Sequence, residues 1–154
     1  MSKEIKFFKE SLYEIFSKIE QEADKIKEAA SVIADAVEND RMVHVIGPGG
    51  HSNIGVEEIL WRAGGLAFWN AILAPGTNLM HGAKRSNVIE RTPGYAIGVL
   101  DSYRVGREKG EVMIIINAYG INSMTIDTVL ECKRRGVKTI AVTSDSFAKV
   151  VPAG

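Results

Sequence analysis

The chain is 154 residues long, 45% hydrophobic and 25% charged, a composition that excludes disordered and fibrous classes and suits one soluble globular domain. Its 19 basic residues offset its 19 acidic ones, so no net field draws it toward nucleic acid or an anionic bilayer, and no apolar run approaches the ~18 residues of a membrane span. Cys132 has no second cysteine to pair with, and the start of the chain lacks the apolar core of a signal peptide; the expectation is a cytoplasmic protein with no nucleic-acid or membrane partner. Cys132 itself reads as a small, half-buried helical residue.

From residue 3 to about 37 there is no Gly or Pro, and Ile5, Leu12, Ile19, Ile26 and Ile33 recur every seven residues. Phe8, Ile15, Ala29 and Ala36 fill the intermediate positions, so the pattern predicts one long helix with an apolar seam interrupted by Glu22. Such a helix exceeds what a small domain needs to cover its own sheet, which points to a homodimer or higher homo-oligomer packed through it; the alternative is a bent helix packing within its own chain.

After Asn39-Asp40 the pattern shortens. A strand is predicted over 42–46, a helix over 53–63 closed by Gly64-Gly65, and a second strand over 66–73. The stretch 74–87 is rich in turn residues and 95–103 reads as helical. An apolar strand follows over 111–116, then a helix over 124–135 with cations in its last turn and Gly136 after it, then a strand over 138–142. Strands nearly continuous in Val and Ile, alternating with helices, predict a parallel sheet in an α/β fold covered on both faces. The expected organisation is a single domain over 1–154, with an N-terminal helical segment (1–40) and an αβα core (41–154).

In such sheets the ligand crevice lies beyond the carboxyl ends of the strands, where strand order reverses. Three turns leave such ends: Gly47-Pro48-Gly49-Gly50-His51-Ser52, then Asn117-Ala118-Tyr119-Gly120-Ile121-Asn122-Ser123, then Thr143-Ser144-Asp145-Ser146. Phosphate needs converging donors and a close backbone approach, which glycines and unpaired amides at helix starts supply. Ser52 is suited either to cap its helix or to donate to an anion. A dinucleotide fingerprint is disfavoured, because Ser52 stands where the third glycine belongs and Asn70 where an acid belongs; no Gly-Lys-Ser/Thr phosphate loop exists. His44, His51 and His81 lack metal-ligand spacing, and His44 lies within a strand, where a packed histidine is expected. No cofactor or metal is expected.

The run Val45-Ile46-Gly47-Pro48-Gly49-Gly50-His51-Ser52, followed by Val56-Glu57-Glu58-Ile59-Leu60-Trp61-Arg62-Ala63-Gly64-Gly65-Leu66, resembles the sugar isomerase (SIS) domain family, in its phosphoheptose-isomerase-like bacterial branch. Glu90-Arg91 and Gly94-Tyr95-Ala96 fall in the expected middle region. The resemblance implies a flavodoxin-like three-layer αβα sandwich with a five-stranded parallel sheet, dimeric or larger, holding a sugar phosphate through Ser and Thr of the strand-end turns. Ser52 and Thr143-Ser144 match those positions. The second turn departs: Asn117-Ala118-Tyr119-Gly120 stands where relatives carry Ser-x-Ser-Gly, with Asn122 and Ser123 left at the helix start. The sequence ends at Val151-Pro152-Ala153-Gly154, before the place where the resemblance puts a fifth strand, a final helix and a histidine often used in catalysis.

The phosphosugar-binding residues implied are Gly47, Gly49, Gly50, His51, Ser52, Asn117, Tyr119, Gly120, Asn122, Ser123, Thr143 and Ser144. By the same resemblance the expected reaction is aldose-ketose isomerisation through an enediol, with Glu57 or Glu58 as base and His81 or His51 as its partner. At ~100° per residue Glu57 and Glu58 lie well around the helix from Ser52, so a site completed by another subunit is one arrangement and a surface ion pair another. Two alternatives stand beside it: a sensor that binds sugar phosphate without converting it, and a lyase acting on a sugar-phosphate ether.

Overall fold

The structure is a computed structural model and describes residues 2–151; Pro152, Ala153 and Gly154 lie outside the described residues. The chain divides after Ala34 into two compact units. In the first, α1 (Lys3–Glu20) begins at Ser2, whose side chain accepts a hydrogen bond from the Ile5 amide. The seam does not run on as one helix. It breaks at Gln21–Glu22, where the Glu22 amide reaches only three residues back, to the Ile19 carbonyl at 2.9 Å, and α2 (Ala23–Glu38) then begins. The break falls on the one charged residue in the seam: Glu22 has no apolar role there and its carboxylate pairs instead with Lys25 at 2.6 Å. No residue of α1 is buried, and Ile5, Phe8, Leu12, Ile15 and Ile19 are exposed.

The second unit is built on four parallel strands, β1 (Val43–Ile46), β2 (Trp69–Ile72), β3 (Val112–Ile116) and β4 (Lys138–Val142), in the order β2-β1-β3-β4. Val43 aligns with Trp69 on one side and Val112 on the other, and Val112 aligns with Lys138. Every residue of β1 is buried, whereas β4 is mostly exposed. Apolar runs therefore mark the central strands, as parallel pairing with cover on both faces requires. Ile46, Ile72, Met113 and Ile115 of the sheet pack with Leu100 of α5 (Tyr95–Ser102) and Met124 of α6 (Ser123–Arg135) in the core. Cys132 is fully buried in this cluster rather than half-buried, and desolvation pushes its thiol up to about 11.

Three connections are more structured or shorter than the sequence pattern suggests. The helix after β1, α3, covers Asn53–Ile59 and stops four residues before Ala63: Leu60 is already extended and Trp61 takes a left-handed φ of 57°. Trp61 is 97% exposed, so no packing favours another helical turn. The turn-rich stretch after β2 contains a single 3₁₀ turn, Leu79–His81, and α4 (Ala83–Ile89). After β4 comes α7 (Asp145–Val150), capped by the Ser144 hydroxyl.

The amino end of the sheet is closed by a polar cluster. His44, 2% exposed, contacts Glu111 Oε2 through Nε2 at 3.0 Å and Asn70 Nδ2 through Nδ1 at 2.9 Å. Glu111 also accepts from the amides of Gly106 and Glu108, and Asn70 donates to the Tyr103 carbonyl. The tautomer with its proton on Nε2 satisfies every member, so His44 is the packed histidine that its place in a strand implied.

Candidate functional site

Strand order reverses between β1 and β3: the chain leaves β1 for β2 on one side and returns to β3 on the other. The turns after these two strands therefore share one rim, and the structure ties them together. The side-chain amides of Asn117 and Asn122 both donate to the Pro48 carbonyl, at 2.9 and 2.6 Å. Between the turns lies a cavity of about 130 Å³. Gly49, Gly50, His51 and Ser52 line one wall, Asn117, Ala118, Tyr119, Ile121 and Asn122 another, and Glu90 and Arg91 a third.

The two turns differ in what they leave unpaired. Ser52 occupies the cap position of α3 with no side-chain cap bond, and its hydroxyl has no hydrogen-bond partner among the described residues. Among the described residues the backbone amides of Gly50, His51 and Ser52 likewise have no acceptor, and the His51 ring is exposed without a partner. Successive free amides in a tight turn form a concave, electropositive nest. In the second turn the amides of Ile121, Asn122 and Ser123 are likewise without a partner among the described residues, whereas Asn117 Oδ1 accepts from the amides of Tyr119 and Gly120 at 3.0 and 2.8 Å. Asn122 Oδ1 caps α6 by accepting from Thr125 N at 2.8 Å, the Met124 amide donates to the Glu90 carbonyl at 3.0 Å, and the Ser123 hydroxyl donates to the Arg91 carbonyl at 3.1 Å. The start of α6 thus holds a neighbouring peptide segment, and the Asn117 amide is committed to Pro48. Tyr119 lines the cavity without filling it; its ring is 57% exposed and rests on Phe147, centroids 4.5 Å apart.

Of the residues expected from sequence, Gly49, Gly50, His51, Ser52, Asn117, Tyr119 and Asn122 meet at the cavity. Gly47 underlies it: a Cβ there would sit 2.2 Å from the Ser52 carbonyl oxygen, so only glycine lets the turn fold back. Gly120, at φ 68°, packs against Thr143 beside the second turn. Thr143 and Ser144 line a neighbouring, more open depression with Ile54, Ile116 and Val142. Glu57, Glu58 and His81 are exposed and do not line the cavity; Glu57 accepts from Asn78 Nδ2 at 3.2 Å, and Glu58 pairs with Arg62 at 3.2 Å. Glu90 and Arg91 are the lining residues outside the strand-end turns; the resemblance puts them in the expected middle region without giving them a role. Gly49 was the available signal, because a glycine in a tight turn asks what it is clearing room for; here Glu90 Oε2 would lie 2.7 Å from its Cβ.

UPF0309 proteins of Caldanaerobacter subterraneus subsp. tengcongensis and Listeria innocua are 36% identical over 140 residues and 37% identical over 130 residues. These alignments take in 90% and 84% of this chain but 56% and 51% of those proteins, so the chain spans about half the length of the curated relatives it matches. A phosphoheptose isomerase from Francisella tularensis superposes with a TM-score of 0.65 at 19% identity, covering 96% of this chain and 77% of its own. One from Neisseria gonorrhoeae gives 0.56 at 20% identity, covering 94% and 81%. At such identities the likeness is one of fold, and it matches the parallel α/β architecture described above. The model of the SIS domain aligns with residues 7–144, nearly the whole chain, and the chain belongs to the SIS domain family.

Proposed function

We propose that the protein binds a sugar phosphate at the first turn and that it serves as a sugar-phosphate aldose-ketose isomerase. The observation that carries the binding is the set of unpaired donors on one cavity wall: the amides of Gly50, His51 and Ser52 and the Ser52 hydroxyl. A phosphate accepts several hydrogen bonds at once and matches such a nest; an apolar ligand does not. Family membership and the phosphoheptose isomerase neighbours support the same ligand class. His51, unpartnered at the wall, is the group suited to exchange a proton with the substrate carbonyl. The exposed apolar seam of α1 supports association of copies through that helix, with residues 1–154 acting as one cytoplasmic domain; among the described residues no helix is long and apolar enough to cross a membrane.

A second reading, binding without conversion, draws on the second turn. Its asparagine side-chain amides are engaged by Pro48, two of its backbone amides by Asn117 and the Ser123 hydroxyl by Arg91, so fewer of its donors are left for a substrate.

The test is titration of the protein and of Ser52→Ala with inorganic phosphate and C5 to C7 sugar phosphates. Because the Ser52 hydroxyl bonds nothing among the described residues, the variant should unfold at the wild-type denaturant midpoint while phosphate affinity drops about tenfold, the loss of one hydrogen bond to a charged group. Equal affinities in the two proteins, or no phosphate binding to either, would remove this reading.

A further inference from the structure

We infer that Glu90 is the sugar-facing carboxylate of the cavity and the base of the proposed isomerisation; the inference rests on the phosphosugar reading of the same site. Glu90 is the one acid among the lining residues, and its side chain is only 16% exposed. Its position is held from three sides. The Glu90 carbonyl accepts from the Met124 amide at 3.0 Å, and the next carbonyl, Arg91, accepts from the Ser123 hydroxyl at 3.1 Å, fastening the segment to the start of α6. Glu90 Oε1 pairs with Arg91 Nη1 at 2.6 Å, which leaves Oε2 over Gly49, in space that any other residue's Cβ would occupy. Arg91 is in turn anchored on Asn87, through its carbonyl at 3.0 Å and through its side-chain oxygen.

Charge then orients the substrate. An ionised carboxylate accepts hydrogen bonds and donates none, so it repels a phosphate and suits hydroxyl groups. The free amides of Gly50, His51 and Ser52 and the Ser52 hydroxyl, further along the same turn from Gly49, take the anion. A sugar phosphate laid across the cavity thus presents its carbons to Glu90. In the aldose-to-ketose direction Glu90 takes the C2 proton, the C2–H electron pair becomes the C1=C2 bond, and the carbonyl π pair accepts a proton at O1 from His51, giving the enediol. The C2 hydroxyl then returns its proton to His51 as Glu90 delivers its own to C1. No electrons are gained or lost overall. Glu57 and Glu58, on the exposed face of α3, have hydrogen-bond and ion-pair partners of their own away from this cavity.

The experiment follows solvent deuterium exchange at C2 of C5 to C7 sugar phosphates by NMR, with inorganic phosphate affinity measured on the same samples. Glu90→Gln, which keeps the side-chain volume, should lower exchange at least 100-fold, the range for losing a general base, and leave phosphate affinity equal or higher. Glu90→Asp, which withdraws the carboxylate without removing it, should fall between the two. A Glu57→Gln/Glu58→Gln double variant should exchange at the wild-type rate. Wild-type exchange in Glu90→Gln, loss confined to the double variant, or a wild type that binds sugar phosphate without exchange would each overturn the role of Glu90 while leaving the binding reading intact. A wild type that binds no phosphate would overturn both.

Discussion

Each end of the sheet carries a histidine and a glutamate, and the two ends use them in opposite ways. At the amino end His44 and Glu111 are 2% and 4% exposed, and every polar atom of the pair has a partner: the carboxylate takes the imidazole and two amides, the imidazole takes Asn70, and Asn70 takes a carbonyl. At the carboxyl end, among the described residues, His51 has no partner, Ser52 caps nothing, the amides of Gly50, His51 and Ser52 are free, and Glu90 holds one oxygen on Arg91 and the other over a glycine. Burial makes unpaired polar groups costly, so a buried pair is retained when it is complete. The incomplete end is where the protein has donors and acceptors left to offer a ligand. Residue type alone does not distinguish these two histidines; the count of satisfied partners does.

The largest expected effect comes from breaking the complete end. Glu111→Ala strands the buried His44 ring and leaves two half-buried amides without their acceptor, and should cost about 3–5 kcal/mol in urea denaturation, the range for removing one member of a buried pair. Phosphate affinity of the folded fraction should not change, because the sheet separates this cluster from the cavity. A loss under about 1 kcal/mol would mean that the cluster is poorly formed and that the contrast between the ends is overstated.

Much of this contrast was legible in the sequence, and the limits are physical. The strand over 138–142 is found as β4 with the same bounds, and the strands at 42–46 and 111–116 each differ by one residue, because β-branched runs bounded by turns leave little freedom. The first turn was visible because a glycine-rich segment directly after a buried strand has few roles. The end of α3 was not: nothing in Leu60-Trp61 forbids another helical turn, and the chain departs only because no packing holds it. Glu90 was hidden for a different reason. Its place in the cavity depends on bonds from Met124 and Ser123, and a contact between distant segments leaves no mark in local periodicity. The same bonds explain why Ser123, expected at the phosphate, is engaged elsewhere. Asn117 and Asn122 line the candidate cavity, where their side-chain amides clamp Pro48.

A pH experiment sharpens the account of the amino end, where α6 terminates. Glu131 accepts from Arg134 at 2.6 and 2.8 Å and from Arg135 at 2.8 Å, and these hydrogen bonds hold its carboxyl well below the ordinary 4.5, at about 2. Arg135 also donates to the Val105 carbonyl and to Asp101, joining the cluster to the loop whose Gly106 amide binds Glu111. Since the folded state binds the proton more weakly than the unfolded state, the contribution is fully present above the ordinary value and is lost as pH falls from about 4.5 through about 2. Stability of the wild type should decline across that window, and Glu131→Gln should flatten the decline. Parallel curves for the two proteins would dissociate the carboxyl from this cluster. Arg134 is 70% exposed, so added salt should shrink the difference without abolishing the share due to Arg135, which is 10% exposed.

The smallest effect probes the incomplete end where it reaches inside the protein. Asn53, the first residue of α3, is 2% exposed, yet neither its side-chain oxygen nor its nitrogen has a hydrogen-bond partner among the described residues. An apolar residue of similar shape removes the desolvation penalty of that amide, so Asn53→Leu should raise stability by about 1 kcal/mol in denaturant unfolding, where most buried polar-to-apolar changes at the other end would lower it. The direction matters more than the size. If Asn53 belongs to the same unsatisfied set as Ser52 and the turn amides, the stabilised variant should also bind phosphate more weakly, showing a trade of stability for binding confined to the carboxyl rim. A variant that is destabilised would instead place a bonded partner on the Asn53 amide in solution and make the contrast between the two ends one of surface turns alone.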